Sequence, residues 1–219
     1  MIKYFDQSVF ESGCELIVNA VNCLGIMDSG LALEFSLRFP TMYKEYKKDC
    51  TDKIIKVGET KMYVDSGQKI LNFPTKLDPF KASDIRYIVD GLDYFANHYQ
   101  DYNIKSIAFP LLGCANGGLD FDTDVKTIMI EQLSNLKIDI VICTNKEISA
   151  LERKMVDVLK GIDVGKMAAD LGLNYLDASF REKIQKIDRL NQLASKKYLK
   201  CADDYREIWK YVKIKVEQL

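Results

Sequence analysis

Histidine occurs once in the 219 residues, at His98. It falls inside a helical pattern and far from any glycine-rich stretch, so Ser-His-Asp and Cys-His chemistry lack a base, and His98 is read as structural. The six cysteines (Cys14, Cys23, Cys50, Cys114, Cys143 and Cys201) are scattered, with no C-x-x-C pair. That spacing argues against a disulfide scaffold and against a zinc site, and fits reduced thiols in a cytoplasmic protein. No metal and no cofactor are expected. No apolar run approaches the roughly 20 residues of a membrane span. The opening Met1-Ile2-Lys3-Tyr4-Phe5-Asp6 lacks the regions of a signal peptide, so no membrane contact is expected. A dense basic stripe of the kind that grips nucleic acid strongly is also missing.

What is present is ordinary for a globular chain: 47% hydrophobic and 29% charged residues. The length suits one sizeable core with an appendage, or two small domains. The net charge of -1 hides an asymmetry. Residues 1–145 hold 15 Lys and Arg against 20 Asp and Glu, a net of -5, whereas residues 146–219 hold 16 against 12, a net of +4. The basic tail is either a contact for nucleic acid or an acidic partner, or a solvated helical face.

The first two thirds alternate strand and helix patterns. Strands are expected at 2–5, 15–19, 61–64, 69–73, 106–110 and 138–143, and helices at 29–38, 42–49, 83–99 and 122–133. Pro40 is expected to stop the first helix, and Ser83 to cap the third, whose apolar stripe is Ile85, Ile88, Leu92 and Phe95. The apolar runs at 106–110 and 138–143 read as strands covered on both faces. The fold class is therefore α/β, in three layers around a mixed, mostly parallel sheet. After residue 145 the strands stop. Helices are expected at 146–159, 165–171, 179–200 and 202–218, without proline. This gives two domains: 1–145 with the site, and an all-helical extension, 146–219, that packs on the core, binds a partner or self-associates.

Two glycine-rich loops carry the chemistry. The first runs through Asn22-Cys23-Leu24-Gly25-Ile26-Met27-Asp28-Ser29-Gly30 and opens a helix, whose free N–H groups favour an anion. Asn22 offers a neutral side chain to ribose hydroxyls. The second, Gly113-Cys114-Ala115-Asn116-Gly117-Gly118, follows another buried strand. Two such loops can hold a diphosphate by backbone N–H groups alone. Lys76 adds an amine at a strand exit, and Asp120 adds a carboxylate just past the second loop.

In order and spacing, these blocks resemble the macrodomain family of ADP-ribose-binding and ADP-ribose-processing modules. The matching residues are Val18–Asn22, Gly25, Met27, Gly30, Ala32 and Phe35, then Phe73–Lys76, then Ser83, Ile88, Gly91 and Leu92, then Leu112–Asp120. Within that family they look most like the branch of DNA ADP-ribosyl glycohydrolase antitoxins and terminal ADP-ribose glycohydrolases. That branch shows VN-x-VN-x-x-G-x-MG-K-GIA, FPTK and PPLG-x-G-x-GGLDW. The departures are specific. Asp28-Ser29 replaces Gly-Lys, Leu77-Asp78-Pro79-Phe80 replaces Arg-His-Trp-Arg, Phe121 replaces Trp, and Ser8 stands where an adenine-binding Asp is usual.

The resemblance implies that Lys76 and Asp120 act at the distal ribose. Breaking a glycosidic bond there develops positive charge, which a carboxylate stabilises while an amine of lowered pKa attacks or passes a proton. The alternative is that Lys76 neutralises a diphosphate and Asp120 caps the next helix. Ligand contacts are expected from Ser8, Asn22, Gly25, Ile26, Met27, Gly30, Gly113, Cys114, Ala115, Asn116, Gly117 and Gly118. Among these, Cys114 is a packing residue rather than a nucleophile. The implied function is an ADP-ribosyl glycohydrolase acting on a modified nucleobase or protein side chain. The other readings are a non-catalytic binder of ADP-ribose or a related nucleotide, and an ADP-ribose 1″-phosphate phosphatase. The expected partners are ADP-ribose or ADP-ribosylated DNA or protein, with a further protein or self-association through the tail.

Overall fold

The computed structural model describes residues 1–219, which divide into two compact units, Met1–Glu147 and Ile148–Leu219. No helix in either is long and apolar enough to cross a membrane.

The first unit is built on six strands: β1 (Ile2–Phe5), β2 (Leu16–Asn22), β3 (Lys61–Asp65), β4 (Gln68–Lys76), β5 (Ser106–Pro110) and β6 (Asp139–Cys143). Their order is β1-β6-β5-β2-β4-β3, with every pair parallel except the β3–β4 hairpin. Side chains alternate across β2. Leu16 and Val18 join Leu71, Phe73, Phe95 and Phe109 in one apolar layer, whereas Ile17 and Val21 join Met27, Phe35, Met42 and Tyr46 in the other. Helices α3 (Ile85–His98) and α4 (Lys126–Leu133) cover the first layer, and α1 (Gly30–Arg38) and α2 (Pro40–Thr51) the second.

β2 and β4 both run further than the hydrophobic pattern suggests. β2 was expected to end at residue 19 and reaches Asn22; β4 was expected to end at residue 73 and reaches Lys76. Asn19 and Asn72 face each other inside the sheet with no solvent exposure, and the Asn19 Nδ2 donates to Asn72 Oδ1 at 3.0 Å. The two amides bond to one another inside the sheet, and the pairing continues past them to Asn22 and Lys76. Pro74 lies just before an irregularity in pairing at Val21/Asn22, where a missing N–H is tolerated.

Other boundaries shift for local reasons. Pro40 does not merely end α1; it is the first residue of α2, where its absent N–H costs nothing. The first-turn donors of α2 at Thr41 and Met42 both go to Asp65 Oδ2 at 2.9 Å. Asp84, not Ser83, caps α3 by accepting from the Arg86 N–H at 2.9 Å. The helix expected at 122–133 begins as a π-helical turn, Phe121–Val125, before α4.

The second unit contains α5 (Ala150–Gly161), α6 (Val164–Leu171), α7 (Ala178–Ile184) and α8 (Ala202–Glu217). They enclose a core of their own that includes Leu159, Met167, Phe180, Ile184, Leu193, Ile208 and Val212. The single long helix expected over 179–200 is broken. α7 stops at Ile184, and a short 3-10 turn, Leu190–Ala194, follows. Gln192 explains the break, because its Oε1 accepts from the N–H groups of Asp188 at 2.9 Å and Arg189 at 3.3 Å, starting a new turn.

Candidate active site

Every parallel strand of the first unit ends at the same edge of the sheet, and the residues singled out in the sequence gather there. The first loop leaves β2 at Asn22. Asn22 Oδ1 accepts from the N–H groups of Leu24 at 2.9 Å and Ile26 at 3.3 Å, and its Nδ2 donates to the Ile26 carbonyl at 2.6 Å. From α2, Tyr46 donates its hydroxyl to the Asn22 carbonyl at 2.5 Å. Asn22 thus folds the loop rather than presenting a free amide to a ribose. Gly25 has φ +77°, and a Cβ there would lie 3.4 Å from the Lys47 backbone, so glycine lets the loop lie on α2. Met27 was expected at the ligand. It is wholly buried, with its sulfur 3.8 Å from the Asn19 amide, and packs beneath the loop. Ile26 and Gly30 remain partly exposed.

Ser29 opens α1 without its side chain capping the helix. Its hydroxyl instead accepts from the Asn116 Nδ2 at 3.1 Å, across to the second loop. The Ser29 hydroxyl thus turns away from the first turn of α1, and a helix start of this kind suits an anion.

The second loop is held from below by Ser83. The Ser83 N–H donates to the Gly117 carbonyl at 2.9 Å, and its hydroxyl is buried under the loop with no partner. A Cβ on Gly117 would stand 2.1 Å from the Gly113 carbonyl oxygen and 2.4 Å from Ser83 Oγ. Gly117 is therefore required for the loop to close on itself, not to clear room for a phosphate. Gly118, at φ +78°, has nothing within 4 Å of a Cβ position and borders open space. Ala115 and Asn116 are exposed. Cys114 donates its thiol to the Leu112 carbonyl at 3.2 Å, and burial pushes its pKa up to about 11, with Asp120 and Asp124 adding to the rise. It is a protonated packing group.

Lys76 is the last residue of β4, not a residue of the following loop, and only 8% of it is exposed. Its Nζ donates to the Asn116 carbonyl and, at 3.4 Å, to that of Pro79. Asn116 therefore links three parts of the site: its side chain reaches the first loop, its own backbone belongs to the second, and its carbonyl holds the lysine. Burial lowers the Lys76 pKa, and the Asp78 carboxylate partly offsets that fall. Asp78 belongs to the Leu77-Asp78-Pro79-Phe80 segment and folds it as a turn, accepting the Phe80 N–H at 2.8 Å. Nothing in the sequence pattern marked Asp78 as the carboxylate acting on Lys76; its place two residues after the lysine was the available signal. Asp78→Asn removes that offset while keeping an oxygen for the turn. The Lys76 pKa should then fall further, as an NMR titration of its side-chain amine would read.

Asp120 is exposed and caps the π-helical turn, its Oδ1 accepting from the Thr123 N–H at 2.9 Å and the Thr123 hydroxyl at 3.1 Å. The Thr123 N–H and hydroxyl hold its pKa below the ordinary carboxylate value. It is ionised, beside the loop that Lys76 contacts, and has no hydrogen bond to the lysine. Ser8 lies three residues past β1 at the same edge, its hydroxyl buried without a partner. Neighbouring Asp6 accepts from the Thr144 hydroxyl at 2.8 Å.

Comparison with known proteins agrees with this geometry. The Macro domain family model matches residues 18–129. A curated DNA ADP-ribosyl glycohydrolase of Mycobacterium tuberculosis is 38% identical over 142 residues, which span 62% of this chain and 40% of that protein. A DNA ADP-ribosyl transferase–DNA ADP-ribosyl glycohydrolase fusion protein of Thermosipho africanus is 30% identical over 176 residues, 72% of this chain and 44% of that one. The chain thus spans about two fifths of the length of these relatives. Among solved structures, the macrodomain of Mycobacterium tuberculosis DarG superposes with a TM-score of 0.63 at 34% identity, covering 65% of this chain and 97% of that one. The macrodomain of Thermus aquaticus DarG gives 0.62 at 32% identity, covering 66% and 98%.

Proposed function

The chain belongs to the macrodomain family, and on that premise we propose that it is an ADP-ribosyl glycohydrolase whose substrate is an ADP-ribosylated nucleobase of DNA. The observation that carries the proposal is the buried Lys76, its amine turned onto the carbonyl of Asn116 in the loop that ends at Asp120. The names of the relatives at 30–38% identity support DNA over a protein side chain as the carrier of the modification.

In this reading the diphosphate lies between the first-turn N–H groups of α1 and the second loop, which leaves the distal ribose toward Lys76 and Asp120. Hydrolysis adds one water across the bond between C1″ and the base. The base leaves with a proton, and ADP-ribose keeps the new hydroxyl. Positive charge grows on the ribose as the bond breaks, and ionised Asp120 stabilises it. Burial favours the neutral form of Lys76, which supplies the nucleophile or base. Gly25, Ile26, Gly30, Gly113, Ala115, Asn116 and Gly118 surround the diphosphate, and the unpaired Ser8 hydroxyl faces the adenosine end.

One feature favours the binding-only reading, namely that Asp120 Oδ1 is occupied in capping the turn. The deciding experiment incubates the protein in parallel with ADP-ribosylated DNA, ADP-ribosylated protein and ADP-ribose 1″-phosphate, and identifies products by mass. Release of free ADP-ribose from the DNA is expected. If none of the three is turned over while ADP-ribose still binds, the binder reading replaces this one. The two-domain reading, with the boundary near residue 145, has its own check. A chain ending at Glu147 retains every strand and both loops, and should bind ADP-ribose in calorimetry as the full chain does. Insolubility or lost binding would make the helices part of the site's support.

A further inference from the structure

We propose that the helical unit Ile148–Leu219 binds double-stranded DNA through a helix-turn-helix formed by α6 and α7. This rests on the second unit alone and does not depend on the glycohydrolase reading. α6 ends in a left-handed residue, Gly172 at φ +68°, and the Leu173 N–H returns to the Ala168 carbonyl at 2.8 Å. That is the C-terminal stop that turns the chain sharply. Five residues after Gly172, Asp177 starts α7, accepting from the Phe180 N–H at 3.2 Å. The connection is longer than the common turn of about three or four residues. It is fixed by Leu176, which is buried, and by Tyr175, which donates its hydroxyl to Asp204 of α8 at 2.6 Å. α6 is tied to α8 as well, through the Tyr211 hydroxyl and Asp170 at 2.8 Å. Met167 and Ala168 of the first helix and Phe180 and Ile184 of the second are each buried, and the two helices touch. The apolar side of α7 therefore faces inward, and Ser179, Arg181 and Glu182 are exposed.

Charge decides what that exposed side meets. Residues 177–200 hold seven Lys and Arg against three Asp and Glu, a net of +4. The rest of the unit, 148–176 and 201–219, holds eight of each, a net of zero. The whole positive excess of the unit thus lies on α7 and the segment that follows it. On α8, Lys210 and Lys213 are spent on Glu207 and Glu217 of the same helix. By contrast Arg181, Lys186, Lys196, Lys197 and Lys200 are exposed and belong to no ion pair. Lys200 lies 4.1 Å from the Tyr175 ring, which brings this basic segment beside the α6–α7 turn. A rigid pair of helices presenting hydrogen-bonding side chains, flanked by unpaired cations, matches a duplex: the second helix enters the major groove and the lysines meet phosphates. An acidic protein would satisfy the charge but would not use the helix-turn-helix.

The test uses the full chain and an unmodified 25-base-pair duplex of mixed sequence, followed by fluorescence anisotropy at several salt concentrations. Binding is expected at 50 mM salt, with affinity falling as salt rises. The K196E/K197E/K200E variant should lose more than tenfold in affinity, and the salt slope should shrink by about 3. Lys186→Glu, outside the 196–200 run that reaches Tyr175, should weaken binding as well, and so covers the case in which the triple variant disturbs the turn. Lys154→Glu on α5 should change affinity less than twofold. ADP-ribose binding and the far-ultraviolet helical signal should stay unchanged in all of these. Three results each overturn the proposal. One is no binding of the duplex at 50 mM salt. Another is a loss from Lys154→Glu equal to that from Lys186→Glu. The third is equal affinity for duplex RNA, whose deep, narrow major groove does not admit a helix.

Discussion

Lys76→Ala is expected to reduce the release of ADP-ribose by about 100-fold, the low end of what a positioned acid–base or nucleophilic group contributes, while ADP-ribose affinity changes several-fold at most. The protein should remain folded, because what is lost is one amine and its two bonds to the carbonyls of Asn116 and Pro79. A group that acts only as the bond breaks lowers turnover, whereas a counter-charge for the diphosphate weakens binding and turnover in step. Single-turnover rates together with calorimetric affinities separate the two. A parallel fall in both would return Lys76 to a purely electrostatic role. The pH dependence follows from the direction of its shift. Burial lowers the Lys76 pKa, so the neutral amine becomes populated below the pH at which a free lysine deprotonates. If the neutral amine acts, the rate should rise with pH and level off before about pH 10.4, the free-lysine value. The same sign governs stability. The folded state holds the Lys76 proton less tightly than the unfolded state does. Its burial therefore costs stability at low pH, and that cost is relieved as pH rises through the folded pKa toward the unfolded one.

Gly117→Val and Gly118→Val should fail in different ways. A side chain at 117 collides with the Gly113 carbonyl and with Ser83, so the loop cannot close, and the expected cost is about 1–3 kcal/mol or more of overpacking. Urea unfolding should show a lowered midpoint, and ADP-ribose binding should vanish with the loop's shape. A Cβ at 118 meets no protein atom within 4 Å, so the main cost to the folded state is the positive φ, roughly 1–2 kcal/mol. Its isopropyl group would instead fill the open space assigned to the diphosphate. Binding should be lost while the protein still unfolds cooperatively. If Gly118→Val binds ADP-ribose as well as the unaltered protein does, the diphosphate does not pass over the second loop.

The α/β plan, the mostly parallel sheet and the switch to helices were legible because apolar runs and amphipathic stripes are local signals. β2 and β4 were read short because Asn22 and Pro74 have loop-like composition, and the pairing that keeps them in the sheet is made with residues some fifty positions away. The loops were visible as glycine clusters, yet glycine alone does not tell a backbone kept clear for ligand from one kept clear for its own chain. Gly117 belongs to the second kind and Gly118 to open space. Met27 sits amid the motif, and its burial under the loop follows from the packing of α1 and α2, which no spacing reveals. Asp120 was recognisable both as a charge-stabilising carboxylate and as a helix cap, and the cap is what its hydrogen bonds express. The break after α7 was missed because the apolar spacing continues across it, while the turn is made by the Gln192 side chain.

The two amides buried between β2 and β4 bear on folding accuracy. A strand with apolar residues on both faces can slide by one position with little loss of burial, and each such slip turns every side chain to the opposite face. Here a slide would set Asn19 and Asn72 against hydrocarbon, at a cost of several kcal/mol per stranded amide. The misaligned sheet is thereby penalised far more than the aligned one. Lys76 lies four residues beyond Asn72, roughly 13 Å along the strand, and its amine points at the second loop only in the correct alignment. A polar pair buried wholly within the sheet thus acts as a proofreading device for the aim of the lysine. Replacing both asparagines by valine would give a sheet no less stable but free to settle with its amine on the wrong side.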